Sequence, residues 1–527
     1  MTDSAVAGPA HDAPVAGSRA SSQASLRSVL PLAVATSIAG MVLLMLTTAW
    51  GIGTSPDSVH YIRTARQWLG EPGPAGSAQF APFYPWLLAV LGRLSGVDPI
   101  SAARGLNVAV FGANILLVGL VVRHATHNIR WIWLAAAWTV LAARPVLTVH
   151  AYALSEPVFL TVGLLGLFLL GRYLQEGRLV LLLGAGAAIG LAFLTRYAAA
   201  ALLLSGGLAL LLFERAAWPR RVVRAALFGV VALLPMLAWM WRNMSATGTA
   251  TGRELVLHPL TRAQIWQGVY TTADWLFIPR GAPDAVRLAA WAVVGGAVAF
   301  VVVRQVVVRD RASTVPAVLA LFVATYAAFL ATSISLLDAN TELDDRILMP
   351  AFVAVVPVLC WLADRAWPVL QRVRPALMAL VVAAAAFCGV TVQAGVGLAA
   401  AGRENGWGFS SRAWAESPTI DAIEALPAGT VVYSNAPEIV YLHTGRAAEA
   451  LPRKIFLMNG RRNGQFAGQL ADTGDRLSRT CGVIAYFRTL TDQKSVPTEA
   501  ELQSRLSLGV RAEGRDGALL SASTCRP

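Results

Sequence analysis

Apolar segments long enough to cross a bilayer recur along the first 400 residues of this chain. That repetition decides what it can fold into. About eleven can be marked off, at 30–50, 104–122, 131–149, 155–172, 179–195, 198–213, 225–241, 286–303, 314–336, 347–363 and 375–398. In lipid every backbone polar group must find its partner within the protein, so segments of this kind are expected to be helices. Composition agrees: 56% of residues are hydrophobic and 14% are charged, with a mean hydropathy of +0.57. A single water-soluble core is thereby excluded.

The formal charge of +13 is almost all arginine. Arg123/Arg130, Arg172/Arg178, Arg215/Arg220/Arg221/Arg224, Arg304/Arg309/Arg311 and Arg365/Arg372/Arg374 occupy short loops. Clusters of that kind mark the cytoplasmic side. They share one side only if 179–213 is two short helices with a turn at Thr195, Arg196 and Tyr197. The N-terminus is then cytoplasmic, and the chain after the last span lies outside. No basic stripe with interleaved aromatics argues for nucleic acid.

Three domains are expected: a disordered, Ala/Ser/Gly/Pro-rich N-terminus at 1–29, a membrane domain at 30–399 and an extracytoplasmic α/β domain at 400–527. Within the last, 420–426, 437–442 and 498–506 read as helices, and 430–434, 481–487 and 519–523 as strands. Cys481 and Cys525 would meet an oxidising compartment, where a disulfide between them or two free thiols are both open. No Cys/His spacing suits zinc, and nothing calls for another cofactor.

The long outer connections, at 51–103 and 242–285, have lengths typical of functional loops. The first carries a carboxylate, Asp57, at the membrane edge, followed by Tyr61, Ala65 and Trp68 at helical spacing. Two helices lying along the bilayer surface, at 58–69 and 83–94, are expected there. Asp57 suits a general base; a helix N-cap in Pro56-Asp57-Ser58 gives the same sequence. Glu156 suits an acceptor-orienting carboxylate or an acidic helix start. Arg346 suits a lipid phosphate or a salt bridge to Asp344 or Asp345, and Arg196 a phosphate or snorkelling to the interface. His60 suits sugar or phosphate, or is incidental. Tyr61 and Trp68 suit interfacial anchors more than sugar platforms.

Four stretches carry a family resemblance: PDSVHY at 56–61, APFYPWLLAVLGRLSG at 81–96, ALSEPVF at 153–159 and DDRILMP at 344–350. In their order, and in their shared outer side, the chain resembles the GT-C fold membrane glycosyltransferases. Within these it is similar to the protein O-mannosyltransferases and the lipid A aminoarabinose transferase, the family 39-like group. The resemblance covers about the first 400 residues. The usual His-Pro-Pro before the second surface helix is replaced by Phe80-Ala81-Pro82. It implies transfer of a sugar from a polyprenyl-phosphate donor to an acceptor hydroxyl on a glycan, lipid or protein, outside a bacterial cytoplasmic membrane, without a metal. Asp57 and Glu156 would be catalytic; Arg346, Arg196, His60 and Tyr61 would bind substrate. A transporter or flippase of a lipid-linked glycan is the alternative, but ionisable residues at mid-bilayer are few.

Overall fold

The computed structural model describes residues 16–72, 78–490, 495–523 and 525. Among these, eight helices are long and apolar enough to cross a membrane. The chain begins with α1 (Ala16–Thr47), whose membrane-length part is Leu30–Thr47. The helix thus extends into the stretch read from composition as disordered. Adding turns to an existing helix costs far less than nucleating one, and 16–29 is free of proline. Residues 1–15 lie outside the described part.

The two surface helices form as expected, as α2 (Pro56–Trp68) and α3 (Phe83–Ser95). They are followed by α4 (Pro99–Ala125), then α5 (Ile132–Ala142) and α6 (Arg144–His150), one apolar segment bent by 55° at Ala143. Pro145 at the second helical position explains the break: in a continuous helix it would offer no N–H to the Leu141 carbonyl, and its ring would clash with that carbonyl. Next come α7 (Glu156–Glu176), α8 (Leu179–Thr195) and α9 (Ala200–Phe213). The last two, of 17 and 14 residues, are separated by a 3-10 turn at Tyr197–Ala199, where a turn was expected. The remaining helices of this part are α10 (Trp218–Thr247), α11 (Arg262–Trp275), α12 (Asp284–Val308), α13 (Thr314–Leu336), α14 (Asp345–Leu370) and α15 (Arg374–Asn405). Only α11, in the second long loop, was not foreseen; a Thr261/Gln264 capping box starts it.

The main core runs through α4, α5, α7, α8, α9, α13 and α14, where Phe111, Leu170, Leu202 and Val353 are almost fully buried. A smaller core joins α2 and α3 to the start of α7 through Ile52, Tyr61, Ile62, Tyr84, Leu88 and Val158.

Beyond α15 a mixed sheet of five strands forms, in the order β2-β1-β3-β5-β4. The strands are β1 (Val432–Ser434), β2 (Glu449–Ala450), β3 (Val483–Phe487), β4 (Leu508–Glu513) and β5 (Gly517–Ala522). β1 runs parallel to β2 and β3; β5 is antiparallel to β3 and β4. Along β3, Val483, Ala485 and Phe487 face one apolar layer and Ile484 and Tyr486 the other. Ile420, Ile423, Ile439 and Val440 cover the first face; Leu470, Leu477 and Leu502 cover the second. Cys481 and Cys525 are disulfide-bonded, their Cα atoms 5.4 Å apart.

Candidate active site

The loop ahead of α2 is held by backbone on two sides. Gly53 donates to the Ala151 carbonyl at 2.8 Å, and Ala153 donates to the Gly53 carbonyl at 2.8 Å. On the other side Phe409 donates to the Thr54 carbonyl at 2.9 Å, and the Thr54 and Ser410 hydroxyls lie 2.9 Å apart. Gly408 is required for this contact: its φ is +54°, and a Cβ there would stand 2.1 Å from the Thr54 oxygen. Ser55 then caps α2, accepting from the Ser58 N–H at 3.4 Å. Asp57 is therefore not the cap, and its carboxylate projects from the first helical turn.

The segment between α6 and α7 presents Glu156. Asn107 of α4 donates to the carbonyls of His150 at 2.9 Å and Tyr152 at 2.6 Å, satisfying carbonyls that the end of α6 leaves unpaired. Asn114 donates to the Pro157 carbonyl at 3.2 Å. Pro157 lacks only an N–H that a helix start leaves unpaired. Glu156 is 1% exposed, and a buried carboxylate must be paired. Arg196, at the break between α8 and α9, lies 2.7 Å from it, and Arg346 donates to it through Nε.

Arg346 also donates through Nη2 to Asp57. One guanidinium thus bridges two carboxylates from distant parts of the chain, a geometry that a planar fork permits. The expected alternatives for Arg346 are filled otherwise. Asp344 caps α14 by accepting from the Ile347 N–H at 2.9 Å, and Asp345 accepts from Trp275 and lies 3.4 Å from Arg144. Arg196 also donates to the Ser155 hydroxyl at 3.1 Å. Tyr61 is buried, with its hydroxyl 3.1 Å from Ser155, so it braces the cluster rather than anchoring α2 at a surface. Burial pushes its phenol up.

These groups border a cavity of about 610 Å³. Asp57, Tyr61, Arg196 and Arg346 line its polar side, with Arg253, Asp338 and Asp344. Burial raises the carboxyls of Asp338 and Asp344. Phe193, Met240, Phe329 and Leu330 line the side formed by spans. Four of the six residues expected at a site thus line one cavity, and Glu156 lies behind them, joined through Arg196 and Arg346. His60 does not line the cavity itself: its ring stacks, with centroids 4.2 Å apart, on Phe80, which does. Burial lowers its imidazole to about 4, so it is neutral near pH 7.

Arg253 was not foreseen. It stands over the Tyr197 ring, 5.4 Å from the centroid, on the cavity wall. A lone arginine in a long polar loop carries no distinguishing signal in sequence. Among the described residues, no three His, Cys, Asp or Glu side chains are grouped closely enough to hold a metal ion.

A polytopic helical membrane protein, with a charged cluster on a cavity among its spans and a small α/β domain beyond them, is the class these features define. ArnT from Cupriavidus metallidurans in the apo state is similar over 95% of this chain and 100% of its own, with a TM-score of 0.56 and 14% identity. The oligosaccharyltransferase AglB from Archaeoglobus fulgidus, solved with an inhibitory peptide and a dolichol-phosphate, is similar over 86% of this chain and 69% of its own. Its TM-score is 0.51 and its identity 12%. The chain therefore has the GT-C fold of these membrane glycosyltransferases. No family model matches the sequence, and no curated protein matches it.

Proposed function

We propose that this protein is a glycosyltransferase that moves a sugar from a polyprenyl-phosphate donor to an acceptor hydroxyl. The observation that carries this reading is the chain of ion pairs Asp57–Arg346–Glu156–Arg196 along a cavity with an apolar side. A carrier lipid needs that combination: cations for its phosphate and apolar wall for its tail. AglB, which shares the fold, binds a dolichol-phosphate. The positions of the arginine clusters support a site on the outer face of a bacterial cytoplasmic membrane, where nucleotide sugars are absent.

In this reading Asp57 takes the proton from the acceptor hydroxyl as its oxygen attacks the anomeric carbon. The bond from that carbon to the phosphate oxygen breaks, and its electron pair leaves on the carrier phosphate. Arg346 and Arg196 stabilise the charge that develops there. Glu156 holds both guanidinium groups in place; its burial and its two partners suit positioning rather than proton transfer. Attack opposite the leaving phosphate inverts the anomeric centre. The α/β domain meets the first loop, where the Tyr441 hydroxyl accepts from Arg66 at 3.2 Å and donates to Glu71 at 2.8 Å.

The test is transfer from a mass-tagged lipid-linked sugar by the purified protein in nanodiscs. Asp57→Asn keeps the shape and an acceptor for Arg346 but removes the base. Transfer should fall by about 10²-fold or more while the protein stays folded. Near-normal transfer by this variant would remove Asp57 from the role.

A further inference from the structure

Three segments converge on the end of α13 that borders the cavity. The extended stretch 255–258 runs beside it, with Val256 donating to the Leu336 carbonyl at 3.0 Å and His258 to that of Ser335 at 2.9 Å. Gln264 of α11 donates to the Ala339 carbonyl at 2.9 Å. From the α/β domain a hairpin reaches the same point. Its arms pair at Ile455 and Arg462, Gly460 turns its tip at φ +66°, and its Met458 carbonyl accepts from the Ala339 N–H at 3.0 Å.

The depth of this point follows from α13. Its 23 apolar-rich residues rise about 1.5 Å each, a little over the roughly 30 Å of a hydrocarbon core. Residues 335–339 therefore lie at headgroup level. At that level two apolar pairs are left open: Leu255 and Leu257, 78% and 74% exposed on one side of an extended chain, and Phe456 and Leu457 on the hairpin. Arg461 and Arg462 are exposed beside the second pair. Apolar tips flanked by arginines at the bilayer surface have the chemistry of a docking surface for anionic lipid.

We propose that the hairpin 455–462 and the segment 255–257 form one membrane-docking surface. Phe456 and Leu457 enter the headgroup boundary, and Arg461 and Arg462 meet lipid phosphates. The α/β domain is thereby held down on the leaflet beside the cavity, whose wall includes Asp338 and Asn340 on either side of Ala339. The proposal rests on the membrane fold and is independent of the glycosyl-transfer reading.

The experiment uses the full chain with Cys360 and Cys388 replaced by alanine and a spin label at Leu457→Cys. The label's collisions with oxygen and with a water-soluble nickel chelate are compared in detergent, in phosphatidylcholine nanodiscs and in nanodiscs containing phosphatidylglycerol. A label at Arg511→Cys, on exposed β4, is the water reference. The expected result is a severalfold rise in the oxygen-to-nickel ratio at 457 in anionic discs, reduced by Arg461→Gln with Arg462→Gln. A ratio at 457 that matches the water reference in both discs overturns the proposal and leaves the hairpin facing solvent or a protein. Equal ratios in neutral and anionic discs overturn the role of the arginines.

Discussion

Arg346 and Asp57 are 289 residues apart in the chain and hydrogen-bonded in the fold. The same arginine also holds Glu156, so it serves a half-exposed carboxylate on the cavity and a buried one behind it. A phosphate arriving in the cavity would compete with Asp57 for that guanidinium, while Glu156 kept it in place.

Arg346→Lys should therefore be damaging although it keeps the charge. An ammonium on a flexible stem does not reproduce a fork that reaches two carboxylates. We expect transfer to fall by about 10²-fold and folding stability to drop by about 2–3 kcal/mol, below the full cost of an unpaired buried charge because Arg196 remains. Transfer kinetics and thermal unfolding in detergent read the two effects.

Gly408→Ala should act on Asp57 from outside the cavity. The new methyl group collides with the Thr54 carbonyl and displaces the loop that starts α2. A shift of about 1 Å at a reacting group costs about 10²-fold in rate. The loss should appear in kcat, with the donor KM little changed, because the arginines are carried by other helices.

Arg253→Gln should show the opposite pattern. Arg253 lines the cavity without touching the Asp57–Glu156 cluster. Its loss should raise the donor KM by about 10-fold, or about 1.4 kcal/mol, and leave kcat largely unchanged. A changed kcat with an unchanged KM would place Arg253 away from the donor.

His60 sets a pH dependence of stability. Its folded value is about 4, below the ordinary 6.5, because burial opposes the charge more than nearby Asp57 favours it. Between those values the unfolded chain takes up a proton that the folded chain refuses. Stability is thus complete above about pH 6.5 and declines toward pH 4, by at most about 3 kcal/mol. Unfolding temperatures at pH 7 and pH 5 should differ less in His60→Gln than in the parent.

Local order was legible in the residues, and long-range pairing was not. The spacing of Tyr61, Ala65 and Trp68 gave α2, and the change in composition after 400 gave the α/β domain. The helix Phe466–Thr480 carries no clear signal in the sequence, because Gly468 and Gly474 interrupt a good amphipathic pattern. Arg196, Arg346, Glu156 and Asp57 stood out as charges at the ends of apolar segments. Which of them pair depends on how four separate stretches pack, and no spacing encodes that. An amphipathic helix looks the same whether its apolar face meets lipid or, as for Tyr61 here, Tyr84 and Phe80. The hairpin 455–462 gave no signal, since only its bond to Ala339 reveals its depth.

The bracket between Thr54 and Gly408 also fixes where the chain can be divided. A cut at 400 would pass through α15, and one at 405 would remove Trp407, whose indole donates to the Thr47 carbonyl at 2.9 Å. The five residues that follow the last long helix, 406–410, are thus the second wall of the loop that carries Asp57. A truncation meant to ask what the α/β domain contributes has to retain them. Otherwise it disables the membrane half and reports a requirement that belongs to the seam.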